Sequence, residues 1–205
     1  MKRLAILGAS GHGKVVADAA ELSGWDDVIF YDDAWLGIET NGAWPVNGGS
    51  RELIESLGSY DGIVVAIGDN TVRLEKLIEL EAGNAPLVVI IHPSAQVSRY
   101  AKVSPGTVIL ANSVVNAGAE LGKGCIINTG SVVEHDCTLA GGVHVSPNAA
   151  LAGGVVVGRA SWIGIGAAVK QLVSIGDGVI VGMGAVVTRN MPDGVVAFGS
   201  PARPM

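Results

Sequence analysis

Residues 121–151, LGKGCIINTGSVVEHDCTLAGGVHVSPNAAL, place an aliphatic side chain at every sixth position: Leu121, Ile127, Val133, Leu139, Val145 and Leu151. Followed in both directions, the series runs unbroken from Ile91, Val97, Val103, Ile109 and Val115 to Val157, Ile163, Val169, Ile175, Val181 and Val187. Val, Ile and Leu together make up under a third of the chain, so a run of this length has odds of about one in 10⁸ at a fixed register. Four residues after these positions stand small or β-branched residues, among them Ala101, Thr107, Ser113, Cys125, Ser131, Cys137, Ala149, Ser161 and Ala185. Neither the 3.6-residue period of a helix nor the two-residue period of a strand produces this pattern.

A six-residue repeat with one large and one small inward position describes a short strand and a turn, repeated as the sides of a prism. Three sides make a coil of about 18 residues, with coils about 4.8 Å apart, the ordinary strand spacing. The length of the run predicts about five coils. Glycines directly after aliphatic positions, at Gly122, Gly158, Gly164, Gly176 and Gly182, are expected to bend the chain or take positive φ. Open strand edges at the two ends call for caps, for which the N-terminal domain and the segment Met191 to Pro204 are the candidates.

Residues 1–90 lack the period and form a separate unit, with the β-helix covering 91–205. Strand-like runs at Leu4–Leu7, Val28–Tyr31 and Ile63–Ile67 alternate with helix-like runs at Lys14–Leu22, Arg51–Leu57 and Thr71–Leu80. That alternation predicts a Rossmann-like three-layer α/β unit with a mainly parallel sheet. Ligands of such sheets bind beyond the carboxyl ends of the strands, where Gly8-Ala9-Ser10-Gly11-His12-Gly13, Asp32-Asp33 and Gly68-Asp69-Asn70 fall. A Gly-rich loop that opens a helix offers free N–H groups to a phosphate. Its spacing, G-x-x-G-x-G, differs from the dinucleotide G-x-G-x-x-G, and a nucleotide sugar and a dinucleotide both stay open on the motif alone.

Composition removes several classes of function. The net charge of −6, with no Lys/Arg cluster, argues against nucleic acid as a partner. No run approaches the ~18 apolar residues of a membrane span, and the run after Lys2-Arg3 is too short for a secretory signal, so the expected location is the cytoplasm and no membrane partner is expected. Cys125 and Cys137 have no metal-ligand spacing and fall on the small inward positions, which makes them packing residues in a reducing compartment.

Ionisable residues are sparse in the solenoid except at Glu134-His135-Asp136. A histidine beside a carboxylate is suited to general-base work, because the carboxylate orients the ring and stabilises the imidazolium. Gly153 lies one full coil beyond His135, which puts its N–H in reach as an oxyanion donor. His144 lies half a coil away and on another side of the prism; it would meet His135 across an interface between neighbouring solenoids. That points to an oligomer, most simply a trimer of three-sided prisms. His92, before Pro93 at the domain junction, reads as structural.

Taken together, Gly8-Ala-Ser-Gly-His-Gly-Lys14, Tyr31-Asp32-Asp33, Ile127-Asn-Thr-Gly130, Val133-Glu-His-Asp-Cys137, His144-Val-Ser-Pro147, Leu151-Ala-Gly-Gly154 and Gly199-Ser-Pro-Ala202 resemble the bacterial left-handed β-helix sugar acyltransferases with a Rossmann-like N-terminal domain. The resemblance spans essentially the whole chain. It implies a left-handed coil, a homotrimer with active sites between subunits, and acetyl-CoA as co-substrate without a metal. His135 would be the general base and Asp136 its modulating carboxylate, with Glu134 and Asn128 near the acceptor amine. His144 would contact the thioester carbonyl and Gly153 the oxyanion, while His12 would reach the site from a neighbouring subunit. Gly8, Ser10 and Gly11 resemble the phosphate loop, with Asp32 and Gly68 at the nucleoside side, and Gly164, Gly182 and Pro201 would line the CoA groove.

The activity implied is N-acetylation of a nucleotide-linked, UDP-type 4-amino-4,6-dideoxysugar in bacterial glycan synthesis. GDP-perosamine N-acetylation and sialic acid O-acetylation share the chemistry. From other classes, a metal-dependent lyase would need three histidines around one zinc, and a non-catalytic nucleotide-sugar sensor would bind without turnover.

Overall fold

The computed structural model describes residues 1–37 and 39–205. Three parallel strands, β1 (Arg3–Leu7), β2 (Asp27–Tyr31) and β5 (Gly62–Val65), form a sheet in the order β2-β1-β5. Between them in the chain come α1 (Gly11–Leu22), the short hairpin strands β3 (Thr40–Asn41) and β4 (Trp44–Pro45), and α2 (Ser50–Glu55); α3 (Asn70–Ala82) follows β5. Strand alternation sorts the core. Leu4, Ile6, Phe30 and Val64 pack with Val16 and Ala20 of α1, whereas Ala5, Leu7, Ile29 and Val65 pack with Leu53 of α2 and Leu77 and Leu80 of α3. This is the three-layer α/β unit that the alternation predicts.

Seventeen two-residue strands follow, from Ile90–Ile91 to Val186–Val187, and they form three parallel faces. The first face carries Ile90–Ile91, Val108–Ile109, Ile126–Ile127, His144–Val145, Trp162–Ile163 and Ile180–Val181. The second begins at Gln96–Val97 and the third at Lys102–Val103. Each strand pairs with the one three sides further along the chain, as in Val133 opposite Leu151, so the solenoid is five full turns and two further sides, slightly longer than the expected five. Every aliphatic position from Ile109 to Val187 is buried, and so are Cys125, Cys137 and the hydroxyls of Thr107, Ser113 and Ser131. Those hydroxyls donate to Gly122 O, Leu110 O and Asn128 O, which satisfies them inside an apolar stack.

The glycines expected at positive φ are a different set. Positive φ recurs at every sixth residue from Gly106 to Gly184, in Asn112, Gly130, Asp136, Asn148 and Leu172 among others, each three residues after an aliphatic position. Gly122, Gly158, Gly164, Gly176 and Gly182 are glycines for space instead. A Cβ at Gly164 would stand 2.5 Å from Val181 O, and one at Gly158 would run into the Gly176 backbone.

At the C-terminal end, Met191 bridges to Ile175, and the hairpin of Val196–Gly199 and Ala202–Pro204 extends the first face, giving the cap expected there. The N-terminal domain is not an end cap. It lies along the flank, with α1 packed on Ile90, Val108 and Ile126 of the first face. Meanwhile Asn70, Arg73, Leu74 and Leu77, one face of α3 at i, i+3, i+4 and i+7, rest on the corner between the third and first faces. Gly124 shows why that corner is bare: it has φ +64°, and an added Cβ would run into Leu77 Cδ1.

Candidate active site

His135 and Asp136 occupy the corner between the second and third faces. Asp136 sits at φ +58°, a left-handed slot that Asp tolerates better than most side chains. The slot turns its carboxylate back onto its neighbour, and His135 Nδ1 lies 2.8 Å from Asp136 Oδ2. With Nδ1–H donated, Nε2 keeps a free lone pair on a side chain that is 64% exposed. The bond to Asp136 raises the His135 pKa above its ordinary value, against a smaller opposing effect of burial. Glu134 Oε2 accepts from Asn116 Nδ2 at 2.9 Å and from the His135 N–H at 3.3 Å, so it braces the turn from beneath.

One coil on, Gly153 stands against the imidazole, so close that a Cβ there would be 2.5 Å from Nε2. Its carbonyl accepts from Leu172 N, while its N–H has no acceptor among the described residues. The corner therefore pairs a polarised base with an unused donor one coil apart.

His144 projects from the first face, which lies opposite that corner, so one chain does not unite the two histidines. Thr129 N–H donates to Asn128 Oδ1 at 2.8 Å, which turns the Asn128 amide nitrogen toward His144 Nε2 at 3.1 Å. A donor facing Nε2 makes that nitrogen the acceptor and leaves the ring proton on Nδ1. Trp162, one coil above, stacks on the ring at 5.7 Å between centroids and 4° between planes, and its Nε1–H is held by Ser146 Oγ. Burial, with Arg73 and His12 adding to it, pushes the His144 pKa down to about 3. His12, in the first turn of α1 and not in the loop where the sequence reading placed it, is pushed down to about 4 by burial and Arg73; its buried Nε2 has no hydrogen-bond partner among the described residues. His12 thus sits beside His144 of its own chain. A cleft of about 520 Å³ opens here between Gly68, Asp69, Thr71, His144, Trp162 and Ile180.

The strand ends of the N-terminal domain converge as expected. Gly8 has φ +115° and sits where a Cβ would be 2.8 Å from Ala66 O; Ser10 caps α1 without using its side chain, and Gly11 faces open space. Asp32 Oδ2 accepts from Ala9 N at 2.8 Å, so this carboxylate holds the loop in shape, and Asp33 accepts from Ser50 N and Oγ at the start of α2. Gly164 and Gly182 flank a second, apolar groove of about 180 Å³ with Ile165, Met183 and Phe198 along it, and Pro201 lies in the turn of the tail hairpin. Gly153 is on the other side of the prism from these.

Cys125 and Cys137 are fully buried, with thiols donating to Ala140 O and Ala152 O, and burial pushes the Cys125 pKa up to about 12. His92 Nδ1 is used by Ser94 in a turn. Among the described residues no group of three His, Cys, Asp or Glu side chains is placed to hold a metal ion, and no helix is long and apolar enough to cross a membrane. Trp162, Asn116 and Arg73 escaped the sequence reading, which placed Asn70 only in the strand-end loop Gly68-Asp69-Asn70. The first two were findable, since each stands one full coil from a site residue, His144 or Glu134.

Comparison with known proteins agrees with this architecture. Residues 3–80 match the family described as the PglD N-terminal domain. The acetyltransferase domain of PglB from Neisseria gonorrhoeae, solved with acetyl coenzyme A, is 40% identical and superposes with a TM-score of 0.95 over 100% of this chain and 99% of that one. PerB from Caulobacter crescentus, solved with CoA and GDP-perosamine, is 37% identical with a TM-score of 0.94, over 100% of this chain and 98% of that one. The UDP-N-acetylbacillosamine N-acetyltransferase of Bacillus subtilis is 38% identical over 114 residues, a match that spans 54% of this chain and 52%, about half, of that enzyme. With a solenoid, a PglD-type domain and full-length likeness at this identity, the chain belongs to the hexapeptide-repeat sugar acyltransferase family.

Proposed function

We propose that this protein is a cytoplasmic, acetyl-CoA-dependent N-acetyltransferase acting on a nucleotide-linked 4-amino sugar, and that it works as a homotrimer. The observation that carries the proposal is the His135–Asp136 pair, with a free Nε2 set against Gly153. His135 Nε2 takes the proton of the sugar amine as its nitrogen attacks the thioester carbonyl. Gly153 N–H and the Nδ1–H of His144 from a second copy hold the oxyanion. The attack forms the C–N bond; collapse of the tetrahedral oxyanion re-forms the carbonyl and breaks the C–S bond, and the imidazolium returns its proton to the departing thiolate.

The placement of the residues supports the trimer. His135 is on a corner and His144, His12 and the cleft are on the opposite face, so in this reading a neighbouring prism brings them together. The Gly8-to-Gly11 loop and the first turn of α1 would take the diphosphate, with Asp32 and Gly68 at the nucleoside, and the groove along Gly164, Gly182 and Pro201 would take the CoA arm. The nucleotide-sugar names of the relatives support this acceptor class.

The test is thiol release from acetyl-CoA with UDP- and GDP-linked 4-amino sugars, on the wild type and His135→Ala. Release with one sugar that falls by about 10²- to 10⁴-fold in the variant is expected. Release only with sialic acid would reassign the acceptor, and binding without release would overturn the enzyme.

A further inference from the structure

We propose that Arg73 is a positioning residue: through Asn70 and the corner carbonyls of the solenoid it sets the stacked His144–Trp162 pair and holds the His144 ring where Asn128 makes it an Nδ1–H donor. Its guanidinium is fully buried (0% exposed) between α3 and the solenoid. All five N–H groups are used. Nε donates to Gly124 O at 2.8 Å, Nη1 to Ile67 O and Gly68 O at 2.9 and 3.3 Å, and Nη2 to Gly142 O and Asn70 Oδ1 at 2.7 and 2.8 Å. Asn70 passes the link on, donating from Nδ2 to Ala160 O and Ser161 O at 3.0 and 3.2 Å.

Gly68, Asn70 and Ala160 of this chain of bonds line the cleft, and the other acceptors adjoin it. Gly142 lies two residues before His144, Ser161 directly before Trp162, and Ile67 and Gly68 begin the loop that closes the far side. One cation therefore ties three backbone segments around the two stacked rings. No carboxylate pairs with it among the described residues; Asp69 and Cys125 are the other ionisable groups near it, and His12 of α1 faces His144 beside it. An uncompensated buried cation is an expensive way to join two domains, because apolar residues of similar volume commonly serve as well or better. A planar five-donor fork does what a leucine does not, since it dictates the angles of the carbonyls it binds.

The inference rests on His144 acting as the thioester-carbonyl donor, so its test includes a readout independent of turnover. The chain has four histidines, and long-range ¹⁵N–¹H spectra at neutral pH resolve the tautomer of each. In the wild type His144 is expected as a single Nδ1–H tautomer with shifts displaced by Trp162. Arg73→Lys, which keeps the charge and loses the fork, and Asn70→Ala, which keeps Arg73 but removes its Asn70 Oδ1 acceptor together with the onward link to Ala160 and Ser161, should give mixed tautomers at His144. The His135 signals should stay unchanged, and kcat should fall by about 10²-fold, the cost of an ångström of misplacement. A drop in melting temperature with the wild-type His144 spectrum and kcat retained would make Arg73 a structural staple and overturn the proposal. If Arg73→Lys does not fold, Asn70→Ala decides alone by the same spectrum. Should no acceptor turn over in the wild type, the acyltransferase reading fails while the spectra still judge the clamp.

Discussion

Gly153→Ala separates the chemistry from the fold more cleanly than removal of His135 itself. Gly153 does not have positive φ, so alanine fits its backbone, and the substitution should stabilise through the unfolded chain by about 0.4–1 kcal/mol where nothing opposes it. What opposes it is the imidazole. The new methyl would lie 2.5, 2.6 and 3.2 Å from Nε2, Cε1 and Cδ2 of His135, where ordinary contact begins near about 3.5 Å. The ring must move by about 1 Å. Because His135 is exposed, it can swing outward at little cost to folding, but doing so breaks the 2.8 Å bond to Asp136 and carries Nε2 away from the acceptor. A displacement of that size costs about 10²-fold in rate, or about 2.7 kcal/mol of transition-state stabilisation. Thiol release and a melting curve on the same sample would show kcat down by two orders of magnitude at an unchanged Tm. Wild-type kcat in Gly153→Ala would refute the reasoning, because it would mean that the base does not need the place the structure gives it.

Three further outcomes follow from the same geometry. As the proposed base, His135 would work only when neutral, and its pKa is raised chiefly by Asp136, so activity should fall as pH drops through that raised value; Asp136→Asn should keep the left-handed turn, lower kcat and move the acid limb of the kcat/KM profile to lower pH. An acid limb left in place by Asp136→Asn would exclude this carboxylate as the cause. Gly124→Ala puts a methyl against Leu77 and forces alanine into φ +64°, a cost of at least about 1–2 kcal/mol that a lower Tm should report. Leu151→Ala removes a fully buried side chain from the stack and should cost about 2–5 kcal/mol in denaturant unfolding, with a midpoint shift under half that range counting against a close-packed core.

The solenoid was legible because one side chain per six residues must point inward in every side of every coil, and no other architecture imposes that spacing. The corner turns were read at the wrong offset. Gly122 and Gly164 follow the aliphatic residues conspicuously, yet the left-handed slot is filled interchangeably by Gly118, Asn112, Asp136 and even Leu172, which hides its period from a search for glycine. Candidate residues stood out where charge was locally dense, as at Glu134-His135-Asp136. The placement of His135 and His144 on different sides of the prism was foreseeable from their half-coil offset, but the association of His12 with His144 was not, because it depends on how α1 lies against the first face. Arg73 lies within the helix-like run Thr71–Leu80, whose sequence alone does not tell its buried face from its exposed one. Only the docking of Asn70, Leu74 and Leu77 beside it shows that this is the buried side.

The left-handed slot held by Asp136 makes the solenoid a measuring stick. Each coil offers the same corner at the same orientation, displaced by about 4.8 Å from the last. The level of the His-Asp pair along the solenoid is therefore set by the coil that carries it, and it can change only in whole coils. Under the proposed function, an acceptor anchored at the Gly8 loop would have to present its amine at that level. Moving the pair by one coil would then change the length of acceptor that fits without altering any side chain of the sugar pocket.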